Sequence, residues 1–242
     1  MDEKIFLSVI IPAFNETDRI PATLGKVKSY LGKQKYTYEV IVVDDGSTDG
    51  MAKIVEDFIK GWKGFRTISY GENQGKGYAV KKGMLEAKGS WRLLMDADNS
   101  TDISEIEKFL KHTSNLEVII GSRYLENSSI KVKQPFERRI VSRFGNWLTK
   151  LMTGLDIIDT QCGFKLFSAR AATDIFPRQT INRWAFDIEI LAIAKQRNYK
   201  IKEVPVDWYN AAGSQVSKTA ALQTFKELWQ IRKNIRLKKY NF

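Results

Sequence analysis

"EVIVVDDGSTDG", residues 39–50, runs four apolar residues in succession and then turns abruptly acidic. Val40 to Val43 show no polar alternation, so a strand here is covered on both faces, as in a parallel sheet flanked by helices. The pattern recurs: apolar runs at 4–14, 65–70 and 91–98 are separated by stretches of helical periodicity near 18–32, 49–60 and 76–87. A β-α-β-α-β-α-β order predicts the α/β class, with a Rossmann-like open, mostly parallel sheet and helices on both faces. Ligands of such sheets bind beyond the carboxyl ends of the strands.

Polar residues gather at those ends. Strand one runs out in PAFNE (12–16), strand two in DDGSTDG (44–50) and strand four in DADNS (96–100), while the third crossover opens with NQGKG (73–77). Asp96 and Asp98, one residue apart where an apolar strand stops, suit a hard divalent cation, Mg²⁺ or Mn²⁺, shared with a substrate diphosphate. Asp and Asn are also ordinary turn residues, and Asn99 or Ser100 can cap the next helix. Asp44 and Asp45 follow four apolar residues directly, where a simple turn needs no pair of acids; a carboxylate there can accept hydrogen bonds from a nucleobase or a ribose. Gly75 and Gly77 allow close backbone approach at a helix N-terminus and Lys76 adds charge, an arrangement that suits an anion, although the G-x-x-x-x-G-K-[ST] spacing of a Walker loop is absent.

The second half offers a strand in LEVIIGSR (116–123), a polar loop, and a helix from Pro135 whose apolar residues Phe136, Ile140, Phe144, Trp147, Leu148 and Leu151 share one face. A loop and strand in DTQCGFKLFSA (159–169), a helix over 183–196, a strand over 201–208 and a helix near 219–238 follow. Asp187 projects from an apolar helix face, so it is paired with a cation or lines a pocket; Glu189 lies on another side.

The 242 residues suffice for one large domain, and 43% hydrophobic with 28% charged residues is a globular composition. A net charge of +11 favours an anionic partner. One cysteine excludes an internal disulfide framework, and one histidine makes a Ser-His-Asp triad or a His-rich zinc site improbable. Cys162 reads as a core residue and His112 as a surface one. The acidic N-terminus and short apolar runs give neither a signal peptide nor a membrane span, which leads to the expectation of a cytoplasmic protein peripherally attached to a membrane.

Taken together, SVIIPAFNE, VIVVDDGSTDG, NQGKGYAVKKG and LLMDADNST resemble the nucleotide-sugar-binding half of family 2 glycosyltransferases, which have the GT-A fold. GSR, DTQCGFKLF, WAFDIEIL and EVPVDW are similar to the polyprenyl-phosphate glycosyltransferases, nearest to the dolichyl-phosphate β-glucosyltransferases and next to the dolichyl-phosphate mannose synthases. The resemblance implies a catalytic domain over 1–218, with a nucleotide-sugar half to about 121 and an acceptor half from about 122, followed by a basic amphipathic helix over 219–242. It implies that Pro12, Phe14, Glu16 and Asp44 contact the base and ribose, and that Asp96 and Asp98 hold the metal-diphosphate region. It points to Arg123 near the acceptor phosphate, assisted by Arg138, Arg139 or Lys165. Eukaryotic members carry an N-terminal membrane helix and many bacterial relatives C-terminal ones; this chain shows neither.

The basic helices from Pro135 and near 219–238 then read as surfaces for anionic lipid, or as helices packed on the domain's own core. The implied reaction moves a hexose, glucose by resemblance, from a UDP- or GDP-sugar to a polyprenyl phosphate with inversion. A family 2 transferase acting on a saccharide or protein hydroxyl, with Asp187 as base, is the nearest rival. A non-catalytic nucleotide- or nucleic-acid-binding protein is the more remote one, and no RNA-binding or helix-turn-helix signature supports it, so no nucleic-acid partner is expected.

Overall fold

The computed structural model describes residues 4–126, 128–130, 145, 148–209 and 218–241. Strands β1 (Leu7–Ala13), β2 (Tyr38–Asp44), β3 (Phe65–Ser69) and β4 (Trp91–Met95) alternate with helices α1 (Ile20–Leu31), α2 (Met51–Ile59) and α3 (Lys76–Glu86). After β4 come the short helix α4 (Ile106–Leu110), β5 (Val118–Ser122), β6 (Ser129–Ile130) and a helical stretch over 148–153, α5. The chain continues through β7 (Phe164–Ser168), α6 (Ala169–Ile175), α7 (Phe186–Gln196), β8 (Ile201–Pro205), β9 (Asp207–Trp208) and α8 (Lys218–Arg236).

Seven strands form one sheet in the order β3-β2-β1-β4-β7-β5-β8, and β6 pairs with β9 beside it. Every pairing in the large sheet is parallel except those of β7, which runs antiparallel to both β4 and β5. Successive residues of each central strand face opposite sides. Ile10, Ile41, Val43, Leu94, Ile120 and Phe167 join a core with α3, α6, α7 and α8. Val9, Val40, Val42, Leu93, Ile119, Phe164 and Leu166 join a second core with α1, α2 and α4. Helices therefore cover both faces, and the unbroken apolar runs seen in the sequence are the result.

The four polar stretches foreseen in the sequence lie at one end of the sheet, because β3, β2, β1 and β4 are successive parallel neighbours. Less foreseeable was β7. Its insertion between β4 and β5 sets Lys165 opposite Leu94 on one side and Ile120 on the other.

The C-terminal helix packs on the domain. Leu228 and Ile231 are buried in the first core and Tyr240 follows them. The Tyr240 hydroxyl donates to Glu189 Oε1 at 2.8 Å, a carboxylate that also accepts from the Thr180 and Ile181 N–H groups. Only part of the helix's apolar stripe is used this way; Phe225 and Trp229 remain 46% and 56% exposed. Of the helix expected from Pro135, residues 135–144, 146 and 147 lie outside those described, as do Arg138 and Arg139. Within the described part, Leu148 packs against the core while Leu151 is exposed, so these two do not share one buried face.

If docking of α8 contributes to the core, Leu228→Ala should lower the unfolding free energy by about 2–5 kcal/mol in urea melts. A change below about 0.5 kcal/mol would mean that the helix is not seated there.

Candidate active site at the strand ends

The DAD turn is fixed from three sides. Thr23 on α1 donates its hydroxyl to the Ala97 carbonyl at 2.6 Å. Asn99 takes a left-handed conformation (φ 53°), which Asn tolerates, and Asp98 Oδ1 accepts from the Ser100 N–H at 2.9 Å. Asp96 lies against Gly163, the residue before β7; a Cβ there would stand 1.9 Å from Asp96 Oδ2. Only a glycine admits the carboxylate at this point.

Lys76 opens α3 and reaches Asp96 Oδ1 at 2.6 Å. Beneath this pair, Lys165 is fully buried and donates to Asp187 Oδ1 and, at 2.7 Å, to the Cys162 carbonyl. Burial pushes the Asp187 carboxyl above its ordinary range, against the pull of Lys165 and Lys76. For Lys76 burial works the other way, but Asp96, Asp187 and Asp98 outweigh it and hold the ammonium above its usual value. Glu16, ion-paired with Arg19, is raised by burial, with further small contributions from Asp98 and Asp96. Cys162, buried between these groups, is pushed up to about 12, so its thiol stays protonated.

Around this centre, Phe14 projects from the end of β1, 42% exposed, while Pro12 is buried inside the strand opposite Val43. Asp44 is buried; its Oδ1 accepts from the Ser47 N–H at 3.0 Å and its Oδ2 from the Ser69 hydroxyl at 2.9 Å.

Several expectations need correction. Asp45 is engaged by the protein's own groups: its two oxygens accept from the Tyr70 hydroxyl, the Asn73 amide and the N–H groups of Gln74 and Gly75. The anion at the start of α3 is thus the protein's own carboxylate, and the Gly75 N–H is not available to a phosphate. Gly75 (φ 101°) and Gly77 are bare because the 181–183 segment presses on them; added Cβ atoms would meet the Asn182 and Ile181 carbonyls at 2.5 and 2.7 Å. Lys165, foreseen near the acceptor phosphate, is sealed under the site by Asp187. Asp187 takes the paired alternative, so it is not a free base.

Arg123 closes the other flank. Its Nε and Nη2 grip Asp159 at 2.7 and 2.8 Å, a bidentate fork, and the guanidinium carbon lies 5.4 and 5.5 Å from the ring centres of Tyr124 and Trp208. Asp159 holds its place through its own N–H, which donates to Glu203. Nη1 has no hydrogen bond among the described residues. Sequence reasoning missed Tyr70 and gave Asn73 and Asp159, which open NQGKG and DTQCGFKLF, no role of their own; it also passed over Gly163, whose place just before an apolar strand was a usable sign of close approach.

The donor set fits a hard dication. Asp98 Oδ2 accepts no hydrogen bond among the described residues, and Asp96 offers a second carboxylate two positions back. No group of three or more potential ligands is clustered among the described residues, so waters or phosphate oxygens would complete the shell.

The profile of the family described as "Glycosyl transferase family 2" matches residues 8–176. The chain belongs to this family. It is a glycosyltransferase of the GT-A fold. Dolichyl-phosphate beta-glucosyltransferase of Dictyostelium discoideum is 37% identical over 95% of this chain and 75% of its own length. The Homo sapiens protein of that name is 37% identical, covering 93% of this chain and 74% of its own length. Among solved structures, glucosyl-3-phosphoglycerate synthase from Mycobacterium tuberculosis, in complex with uridine diphosphate, superposes with a TM-score of 0.70 at 16% identity, over 95% of this chain and 80% of that one. Mannosyl-3-phosphoglycerate synthase from Rubrobacter xylanophilus gives 0.69 at 14%, over 98% and 76%. These two likenesses concern the fold alone.

Gly163→Ala should leave a folded protein, since Asp96 is partly exposed and can swing away, yet reduce turnover about a hundredfold, the scale for a displaced site group. Melting and activity assays check this; unchanged activity would show that the Asp96 position is not needed.

Proposed function

We propose that this chain transfers glucose from UDP-glucose to a dolichyl or related polyprenyl phosphate, with inversion at C1, at the cytoplasmic face of a membrane. The observation that carries the reading is the 37% identity, over 95% of the chain, with a protein named dolichyl-phosphate beta-glucosyltransferase. The uridine nucleotide draws support from the fold neighbour of Mycobacterium tuberculosis, solved with Mn²⁺ and UDP-glucose together.

In this reading the exposed Phe14 ring offers a stacking face to the base, and Asp44, its carboxylate oriented by Ser47 and Ser69, accepts from the base or ribose. Asp98, with Asp96, would hold Mg²⁺ or Mn²⁺. When bound, the cation supplies positive charge that stabilises the departing diphosphate. Lys76 adds a mobile positive charge on the same side.

The acceptor phosphate oxygen attacks C1 from the face opposite the diphosphate. A phosphate monoester is largely dianionic above its second pKa of about 6, so no protein base has to remove a proton. The locked Asp187–Lys165 pair fits that requirement, because Asp187 shapes the floor beneath Lys76 and Asp96 instead of abstracting a proton. Arg123, oriented by Asp159 and two aromatic rings, presents Nη1 as an anchor for the lipid phosphate. The exposed Phe225 and Trp229 on α8, beside exposed Lys226 and Lys233, form an apolar and basic face suited to an anionic lipid surface.

Purified chain, Mn²⁺, labelled UDP-glucose and dolichyl phosphate in anionic vesicles should yield label in the lipid phase, rising through about pH 6 and then level. Asp98→Ala should abolish transfer, and Phe225→Glu with Trp229→Glu should weaken transfer to the vesicle-borne acceptor but not to a short, water-soluble isoprenyl phosphate. Label found in saccharide or protein but never in lipid phosphate would refute the acceptor assignment.

A further inference from the structure

Two lysines stand among the site carboxylates, and they are not equivalent. Lys165 is wholly buried, tied to Asp187 and the Cys162 carbonyl, and has no route to solvent. The Lys76 side chain is 31% exposed, and among the described residues its single ion-pair partner is Asp96 at 2.6 Å. The Asp96 carboxylate rests where a Cβ on Gly163 would otherwise stand. The ammonium of Lys76 therefore sits on one of the two carboxylates that a divalent cation would use.

Charge counting gives this weight. Lys165 neutralises Asp187, Lys76 neutralises Asp96 and Arg19 neutralises Glu16. Asp98 is left as the one carboxylate of this group without an ion-pair partner among the described residues, and one of its oxygens already accepts the Ser100 N–H. A single half-engaged carboxylate is a poor anchor for an ion that seeks about six oxygens. A diphosphate changes the balance: it supplies oxygens for the ion and negative charge for Lys76, whose four-carbon stem can swing while its charge stays on. A lysine ammonium, with an ordinary pKa of about 10.4, meets the phosphates as a cation.

We propose that Lys76 is a resident cation that occupies Asp96 until the donor diphosphate arrives, so that the metal enters with the nucleotide and not before it. The inference rests on the donor-site reading above and deepens it. Lys76 is a positioning residue here: it keeps the carboxylate pair neutral and in place in the free protein, then hands Asp96 to the incoming ion. By linkage, nucleotide and cation must raise each other's affinity by the same factor.

The test is an electron paramagnetic resonance titration of Mn²⁺ with the full chain, alone and with saturating UDP or GDP, for the wild type, Lys76→Met and Lys76→Arg. Wild type should bind Mn²⁺ weakly alone and at least about tenfold more tightly with nucleotide. Lys76→Met should bind Mn²⁺ alone about tenfold more tightly than wild type, the effect of removing a unit charge ~5 Å from a dication in a solvent-open site, and should lose much of the coupling. Lys76→Arg, which keeps the charge, should resemble wild type; circular dichroism confirms that each variant is folded.

Equal Mn²⁺ affinity of wild type with and without nucleotide would overturn the inference, as would unchanged nucleotide-free affinity in folded Lys76→Met. If lipid transfer proceeds while Mn²⁺ and nucleotide bind independently, only the role of Lys76 falls. If neither nucleotide binds at all, the donor-site reading falls with it.

Discussion

A carboxylate seated on a glycine, Asp96 against Gly163, is the contact on which the site depends. It exists because β7 runs antiparallel into the gap between β4 and β5, so the start of β7 meets the end of β4. The strand that brings the bare glycine also brings Lys165, and alternation along β7 turns that lysine toward α7 and Asp187. An unpaired ammonium in that apolar row would carry a large desolvation cost, so Lys165 and Asp187 require each other. Asp187 in turn contributes to the field that keeps Lys76 charged.

The loops around this centre are held by the protein's own ionic and polar groups. Asp45 satisfies the N–H groups of the NQGKG loop, and Asn182 accepts from the Tyr78 N–H on the far side of it. Glu227 on α8 accepts the Ala185 N–H at the start of α7, and Asn234 donates to Thr180. A path of hydrogen bonds thus joins the C-terminal helix, whose aromatic side chains face outward, to the segment that flanks Lys76. Buried polar groups are satisfied along this path, as their desolvation requires.

Much of this was legible in sequence. Val40–Val43 announced a strand covered on both faces, and the polar stretches at 12–16, 44–50, 73–77 and 96–100 pointed to one end of the sheet before any coordinates. What failed was the assignment of partners. Asp44 and Asp45 are adjacent and chemically alike, yet one is held at the strand end by Ser47 and Ser69 and the other by a loop some 30 residues onward; nothing in DDGS distinguishes them. Lys165 stood in a basic protein beside a suspected phosphate site, and only the pairing of β7 reveals that it is sealed in. The antiparallel insertion itself is a choice of neighbour across many residues, which hydrophobic period does not encode. Asp159, which orients Arg123, was hidden for the same reason.

The central claim is that donor and metal meet at the ends of β1, β2 and β4. Backbone resonances of the labelled chain, recorded with UDP and a substoichiometric amount of Mn²⁺, test it most directly through distance-dependent broadening. The account predicts broadening centred on Asp96–Ser100 and spreading to Phe14–Glu16 and Lys76, with Glu203 and the amino ends of the strands unaffected. Broadening centred instead on Asp159 and Glu203, or absent from the DAD turn, would contradict it.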